Sequence, residues 1–237
     1  MEQESANLLQ NHARSTIVQS RSIRSQKKLC KIFSNKYIAQ CFIPTRLNRV
    51  LNNLHRLAEG FLDNNQDADR LLQKIIKSGF KFHVLYRNRI IPFSPDGRRL
   101  MMKLRDEFIL VFAMIVALNY LDLIFIQYSL QRKLQRKLRH CQQLIRRIIG
   151  NHLTQKSHDR IDFIFDFISD ADFLAYIFDS ELTRNHAIIE EIIDDLRALM
   201  SDALLALLSD ALSALMPDSL RVLMSDALRV FVRDSLI

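Results

Sequence analysis

The chain has 237 residues, of which 49% are apolar and 25% charged, the make-up of a globular protein with a sizeable core. Only four glycines and four prolines over that length argue for long helices with short connections, and leave no material for a P-loop or a dinucleotide fingerprint. The net charge of +8 is uneven: residues 1–60 carry ten Lys/Arg against three acids, residues 81–150 fourteen against four, and residues 151–200 four against eleven.

A polar stretch, residues 1–15, is expected to be mobile and has no apolar core of signal-peptide length. From Thr16 to Phe42 the pattern is helical. Ile23, Cys30, Phe33, Tyr37 and Cys41 share one face, with Arg24, Lys27, Lys28 and Lys31 beside or opposite it. Cys30 and Cys41 would lie roughly 16 Å apart on that helix, too far for a disulfide, so the three cysteines read as reduced thiols of a cytoplasmic protein. Pro44 suits the start of a second helix over 45–62. A third, over 68–88, runs through Leu71, Leu72, Ile75, Ile76, Phe80 and Leu85.

Arg89–Gly97 holds Pro92 and Pro95 and reads as a loop. The helix predicted over 98–120 is apolar on all sides in its second half and must be buried all round. Its run Phe108–Leu118 is well short of the ~20 residues needed to span a bilayer. An amphipathic helix follows over 127–153. Its stripe is Leu130, Leu134, Leu138, Cys141, Ile145 and Ile148, with Arg132, Lys133, Arg136, Lys137 and Arg139 turned away. Ser157 before Ile161, Ile164 and Phe165 reads as an N-cap, and Ser169 with Asp172 as a second one. A last helix is predicted over 184–200, its Asp/Glu pairs at 190–195 forming a solvated face.

From Leu199 an eight-residue repeat begins: LMSDALLA, LLSDALSA, LMPDSLRV, LMSDALRV. Eight residues at about 100° each rotate an apolar stripe by about 80° per repeat, so no constant face forms. Residues 201–237 therefore read as a loosely ordered apolar tail, with packing on the domain or on a membrane as the alternative.

Enzyme signals are poor. No serine sits in a nucleophile elbow, and no catalytic or metal-binding set is assigned: His158 and Asp162 are one turn apart but lack a third ligand in register. No cofactor is implied. The basic front suits an anionic partner, but no recognisable module and little aromatic interleaving speak for nucleic acid.

Residues 152–174, HLTQKSHDRIDFIFDFISDADFL, resemble the signature of the tumor necrosis factor alpha-induced protein 8 family, the TIPE proteins. Ser25-Gln26-Lys27-Lys28-Leu29, Leu85-Tyr86-Arg87-Asn88, Ala113-Met114 and Leu121-Asp122 extend the resemblance collinearly over residues 20–200. It implies a single all-α domain over 16–200: a bundle of six or seven antiparallel helices around an apolar cavity that holds lipid tails. It also implies non-enzymatic binding, and transfer, of phosphoinositides or related anionic lipids at a membrane surface. Cell survival or immune signalling would be the setting, and the rival reading is an adaptor that meets signalling proteins. The implied headgroup residues are Lys27, Lys28, Arg87 and Arg105, with Lys31 adjacent. A third family lysine falls at Ile32, a departure. The implied tail cavity would draw on Phe108, Phe112, Ile115 and Leu118. The protein is then expected in the cytoplasm, in reversible peripheral association with membranes.

Because the octads maintain no buried face, truncation after Met200 is expected to leave the thermal midpoint within a few degrees. Loss of cooperative unfolding in the truncated chain would show that the tail completes the core.

Overall fold

A computed structural model describes residues 43–62, 64–87, 95–120 and 124–200. These form α1 (Thr45–Leu62), α2 (Asn65–Arg87), α3 (Pro95–Tyr120), α4 (Ile124–Ile149), α5 (Gln155–Ile168), α6 (Ala171–Ile177) and α7 (Thr183–Arg197), with a 3-10 turn at Gly150–His152. The all-α fold class predicted from periodicity holds, with no strand among the described residues. The helix predicted over 16–42, its two cysteines and the repeat tail lie outside them.

Three local predictions are corrected. Pro95–Gly97 is the first turn of α3 rather than loop; at the first helical position proline forfeits no helix hydrogen bond, and its fixed φ suits the start. Ser157 does not cap α5. Thr154 occupies the cap position, and its hydroxyl meets Ser157 Oγ at 3.2 Å instead of a backbone N–H. Ser169 closes α5, its N–H donating to the Phe165 carbonyl at 2.9 Å. The cap of α6 is Asp170, whose Oδ1 accepts from the N–H groups of Asp172 at 2.9 Å and Phe173 at 3.0 Å. A carboxylate there satisfies two otherwise orphaned donors and sits at the positive end of the helix. Between α4 and α5 the chain turns at Gly150, whose φ of +39° is a conformation that side-chain-bearing residues rarely adopt.

The helices pack in a ring. α3 lies on α4, α4 on α5, α5 on α2, α2 on α1, α1 on α7, and α7 returns to α3. Short α6 rests against α1, α4 and α5. Phe61 of α1, Phe167 of α5, and Phe173 and Tyr176 of α6 hold it there, with ring centroids 4.5–6.1 Å apart in tilted and edge-on pairs. Gly60 makes the contact close, since a Cβ there would overlap the Tyr176 hydroxyl.

Inside the ring, α3 buries Val111, Phe112, Ala113, Met114, Val116, Ala117 and Leu118. Facing it, α4 buries Leu130, Leu134, Leu138, Cys141, Leu144 and Ile148. Leu144 takes the place in the stripe expected of Ile145, which is half-buried. Each of the Val, Leu, Ile, Phe and Met side chains among them contributes about 1.5–3 kcal/mol of burial. Burial, reinforced by the Glu107 carboxylate, pushes the Cys141 thiol up to about 12.

α7 is fastened mainly to α1. Arg49 grips Asp195 with two nitrogens, Nε lying 2.9 Å from Oδ2, and Arg46 donates to the Ala198 carbonyl at 2.7 Å. Asn53 donates to Glu191 at 2.9 Å, and Arg56 lies 3.6 Å from the same carboxylate. The acids at 190–195 are thus not simply a solvated face: Asp195 is only 6% exposed.

The Arg49 hydrogen bond holds the Asp195 carboxyl below the usual carboxylate range, against the opposing effect of burial. A lowered folded-state pKa gives stability that is present above the unfolded value of about 3.9 and lost as pH falls through the folded one. Asp195→Asn is therefore expected to lower the thermal midpoint by a few degrees at neutral pH. Melting curves should show that difference shrinking below about pH 3.9; a pH-independent difference would mean that Asp195 acts by packing alone.

Candidate functional site

The closure of the ring between α3 and α7 is incomplete, and an open-mouthed cavity of about 410 Å³ lies there. From α3 it is lined by Arg105, Phe108, Ile109, Val111, Phe112 and Ile115, and from the end of α7 and the turn after it by Leu196, Leu199 and Met200. The spacing explains the α3 set. Positions 105, 108, 112 and 115 recur every three or four residues and so share a face, which turns toward α7 rather than α4. Phe108 remains 42% exposed and Leu199 46%, at the mouth. The volume falls within the range of about 300–1,000 Å³ typical of small-molecule sites.

Among the described residues, Arg105 supplies the only charge on this lining. Its guanidinium is engaged by the neighbouring Asp106, with Nη2 and Nε at 2.7 and 2.9 Å from Oδ1. Both partners are about half exposed, so the pair is weak and an incoming phosphate can compete for the arginine. One turn earlier on α3, Arg98, Arg99, Met102, Lys103 and Asp106 line a shallow depression of about 510 Å³. Asp96 takes Arg99 at 2.8 Å.

The residues singled out in the sequence divide as follows. Arg105, Phe108, Phe112 and Ile115 come together on the cavity. Leu118 is 1% exposed in the packed core and is not part of the lining. Arg87 ends α2, exposed. Lys27, Lys28 and Lys31 lie outside the described residues. Sequence reasoning missed Leu196, Leu199 and Met200, which belong to the α7 side of the cavity. It also missed Arg98, Arg99 and Lys103, for which the dibasic pair at a helix start was an available signal.

Several other charged groups have local partners. Arg46 and Arg49 are turned to α7. On α4, Lys137 lies 2.9 Å from Glu107, and Arg132 stacks over the Tyr128 ring at 4.5 Å. His158 Nε2 is 3.0 Å from the Gly150 carbonyl, and Asp162 accepts from Gln142 at 2.9 Å. Among the described residues no group of three His, Cys, Asp or Glu side chains is placed to hold a metal ion.

The family model described as "Tumor necrosis factor alpha-induced protein 8-like" matches residues 18–203. Tumor necrosis factor alpha-induced protein 8 of Pongo abelii is 32% identical over 158 residues, covering 66% of this chain and 76% of its own length. The Homo sapiens protein of the same name is 31% identical over 158 residues, with the same coverage. Tumor necrosis factor alpha-induced protein 8-like protein 1 of Danio rerio is 29% identical over 182 residues, 76% of this chain and 94% of that one. The match spans every described helix and the whole wall of the cavity, and the chain belongs to the tumor necrosis factor alpha-induced protein 8-like family.

Proposed function

We propose that this protein binds, and carries between membranes, phosphoinositides or related anionic lipids, without chemistry on them. The observation that supports this most directly is the join of two surfaces on α3. An apolar cavity accepts hydrocarbon, and Arg105 at its edge, with Arg98, Arg99 and Lys103 on the preceding turns, offers cations for phosphate. Each methylene withdrawn from water is worth about 0.8 kcal/mol, so a tail of modest length suffices for tight holding. Charge-assisted hydrogen bonds to phosphate supply orientation. Lys27 and Lys28, with Lys31 and Arg87, add to the headgroup side in the reading that the family resemblance implies. No described helix is long and apolar enough to cross a membrane, and the reading is of a cytoplasmic protein that docks on the bilayer surface reversibly.

The size of the apolar cavity, whose mouth exposes Phe108 and Leu199 to water, favours this reading over an adaptor that meets only signalling proteins.

Purified protein is expected to bind vesicles containing phosphoinositide far better than neutral vesicles. Binding should weaken as salt rises, because a Debye length of about 8 Å near physiological ionic strength screens the contacts. Lys27→Glu with Lys28→Glu should reduce vesicle binding while leaving the circular dichroism unchanged. Equal binding by this variant and the parent would remove those lysines from the headgroup site.

Ile115→Trp tests the cavity. The indole should fill space already present, so stability should hold while the lipid recovered by organic extraction and mass spectrometry falls. Leu118→Trp, in the packed core, should instead overpack and cost roughly 1–3 kcal/mol or more. Unchanged lipid content in a stable Ile115→Trp protein would rule out the cavity as the acyl site.

A further inference from the structure

A second cationic surface lies away from the cavity wall, where α2 packs on α5. On α2, Arg70, Lys74, Lys77 and Lys81 recur at spacings of four, three and four, which places them on one face over about three turns. On α5, Lys156 and Arg160 are one turn apart. The packing of the two helices brings these sets together. Burial, and then the charges of Arg160 and Arg70, hold the Lys74 ammonium below the usual lysine range; burial, Arg160 and Lys156 do the same to Lys77. None of the six lines the cavity or the depression on α3.

Two nearby acids have partners: half-exposed Asp67 takes Arg70 at 2.9 Å, while Asp159 accepts from Gln155 at 2.8 Å. Two contacts hold the seam in shape. The Lys74 ammonium sits 2.9 Å from the centre of the Phe163 ring, and Lys81 donates to the buried Ser157 hydroxyl. An ordinary solvated face lets its lysines spread into water. Here Lys74 and Lys77 are drawn against a second helix that brings more positive charge, an arrangement that disfavours the empty protein and favours one holding an anion.

We propose that the seam between α2 and α5 is a binding site for clustered phosphomonoesters, distinct from the cavity between α3 and α7. Its six cations extend along two helices, so it suits several phosphates held close together better than a single one. Such a group is offered by a polyphosphorylated lipid headgroup or by a free inositol polyphosphate. The site does not depend on the acyl reading of the cavity: it requires phosphate and no hydrocarbon.

The test uses the full chain with Lys74→Gln, Lys77→Gln and Lys156→Gln combined, and two probes. One is inositol hexakisphosphate followed by calorimetry; the other is phosphatidylcholine vesicles doped with phosphatidylinositol bisphosphate. The triple variant should lose at least about tenfold in affinity for one or both probes, since three charge-assisted contacts are removed. A loss with the soluble probe alone assigns a free phosphate source, and a loss on vesicles alone assigns a lipid headgroup. Without ligand, the variant should melt at or above the parent's midpoint, because repulsion has been relieved. Ile115→Trp should bind inositol hexakisphosphate as the parent does, which separates a failure here from a failure of the cavity reading. Undiminished binding of both probes by the triple variant would overturn the proposal. So would a fall in its ligand-free midpoint, which would make the three lysines structural.

Discussion

A helix that is apolar on every side cannot rest on a surface; it has to be surrounded. The run from Phe108 to Leu118 on α3 imposes that condition on the rest of the chain, because a side left uncovered exposes several large side chains to water. α4 covers one side with a stripe of leucines. The opposite side falls to α7, which reaches α3 only by being held on α1. The ring is therefore a chain of dependencies. α1 carries the arginines, α7 carries the acids that receive them, and α3 obtains its cover as a result. α7 ends at Arg197 and the following turn leaves Leu199 and Met200 at the edge, so cover gives way to a cavity.

That arrangement also sorts the charges. The acidic back and basic front of the sequence are in part each other's partners, folded against one another where α1 meets α7. Carboxylates on α5 similarly engage α4, as Asp162 does with Gln142 and Arg146. A count of charges by segment therefore overstates what is available to a partner. Only a three-dimensional pairing shows which cations are already engaged and which face outward, as Arg98 and Lys103 do on α3.

Much of the helical fold could be read in the sequence, since long amphipathic helices advertise themselves by period. α1 was placed to the residue, and α4 was recognised by its stripe. Errors gathered at helix ends, where one residue's backbone angle decides. Pro95 began a helix instead of preceding one, and Asp170 rather than Ser169 supplied the cap. The candidate site was legible only along one helix. Phe108, Phe112 and Ile115 share a face by spacing, but whether that face meets a void or a neighbour depends on where α7 stops. Leu118 differs from Ile115 only by three positions, yet it falls in packed core. The signature over 152–174 identified the family, although its polar residues serve mainly as joints: Asp170 caps α6, His158 faces the Gly150 carbonyl, and Ser157 receives Lys81.

Cys141 has a practical consequence. It lies at the middle of the α4 stripe with no exposed surface, and its thiol is pushed up to about 12. The reactive form of a cysteine is the thiolate, so its place in the core silences this one twice, by exclusion and by chemistry. A free thiol titrates near 8.5, and freeing Cys141 would therefore raise its thiolate fraction at neutral pH by roughly three orders of magnitude. Alkylation at that single position becomes a clock for the separation of α4 from α3. Its rate measures how often the interior opens wide enough for a small electrophile to enter.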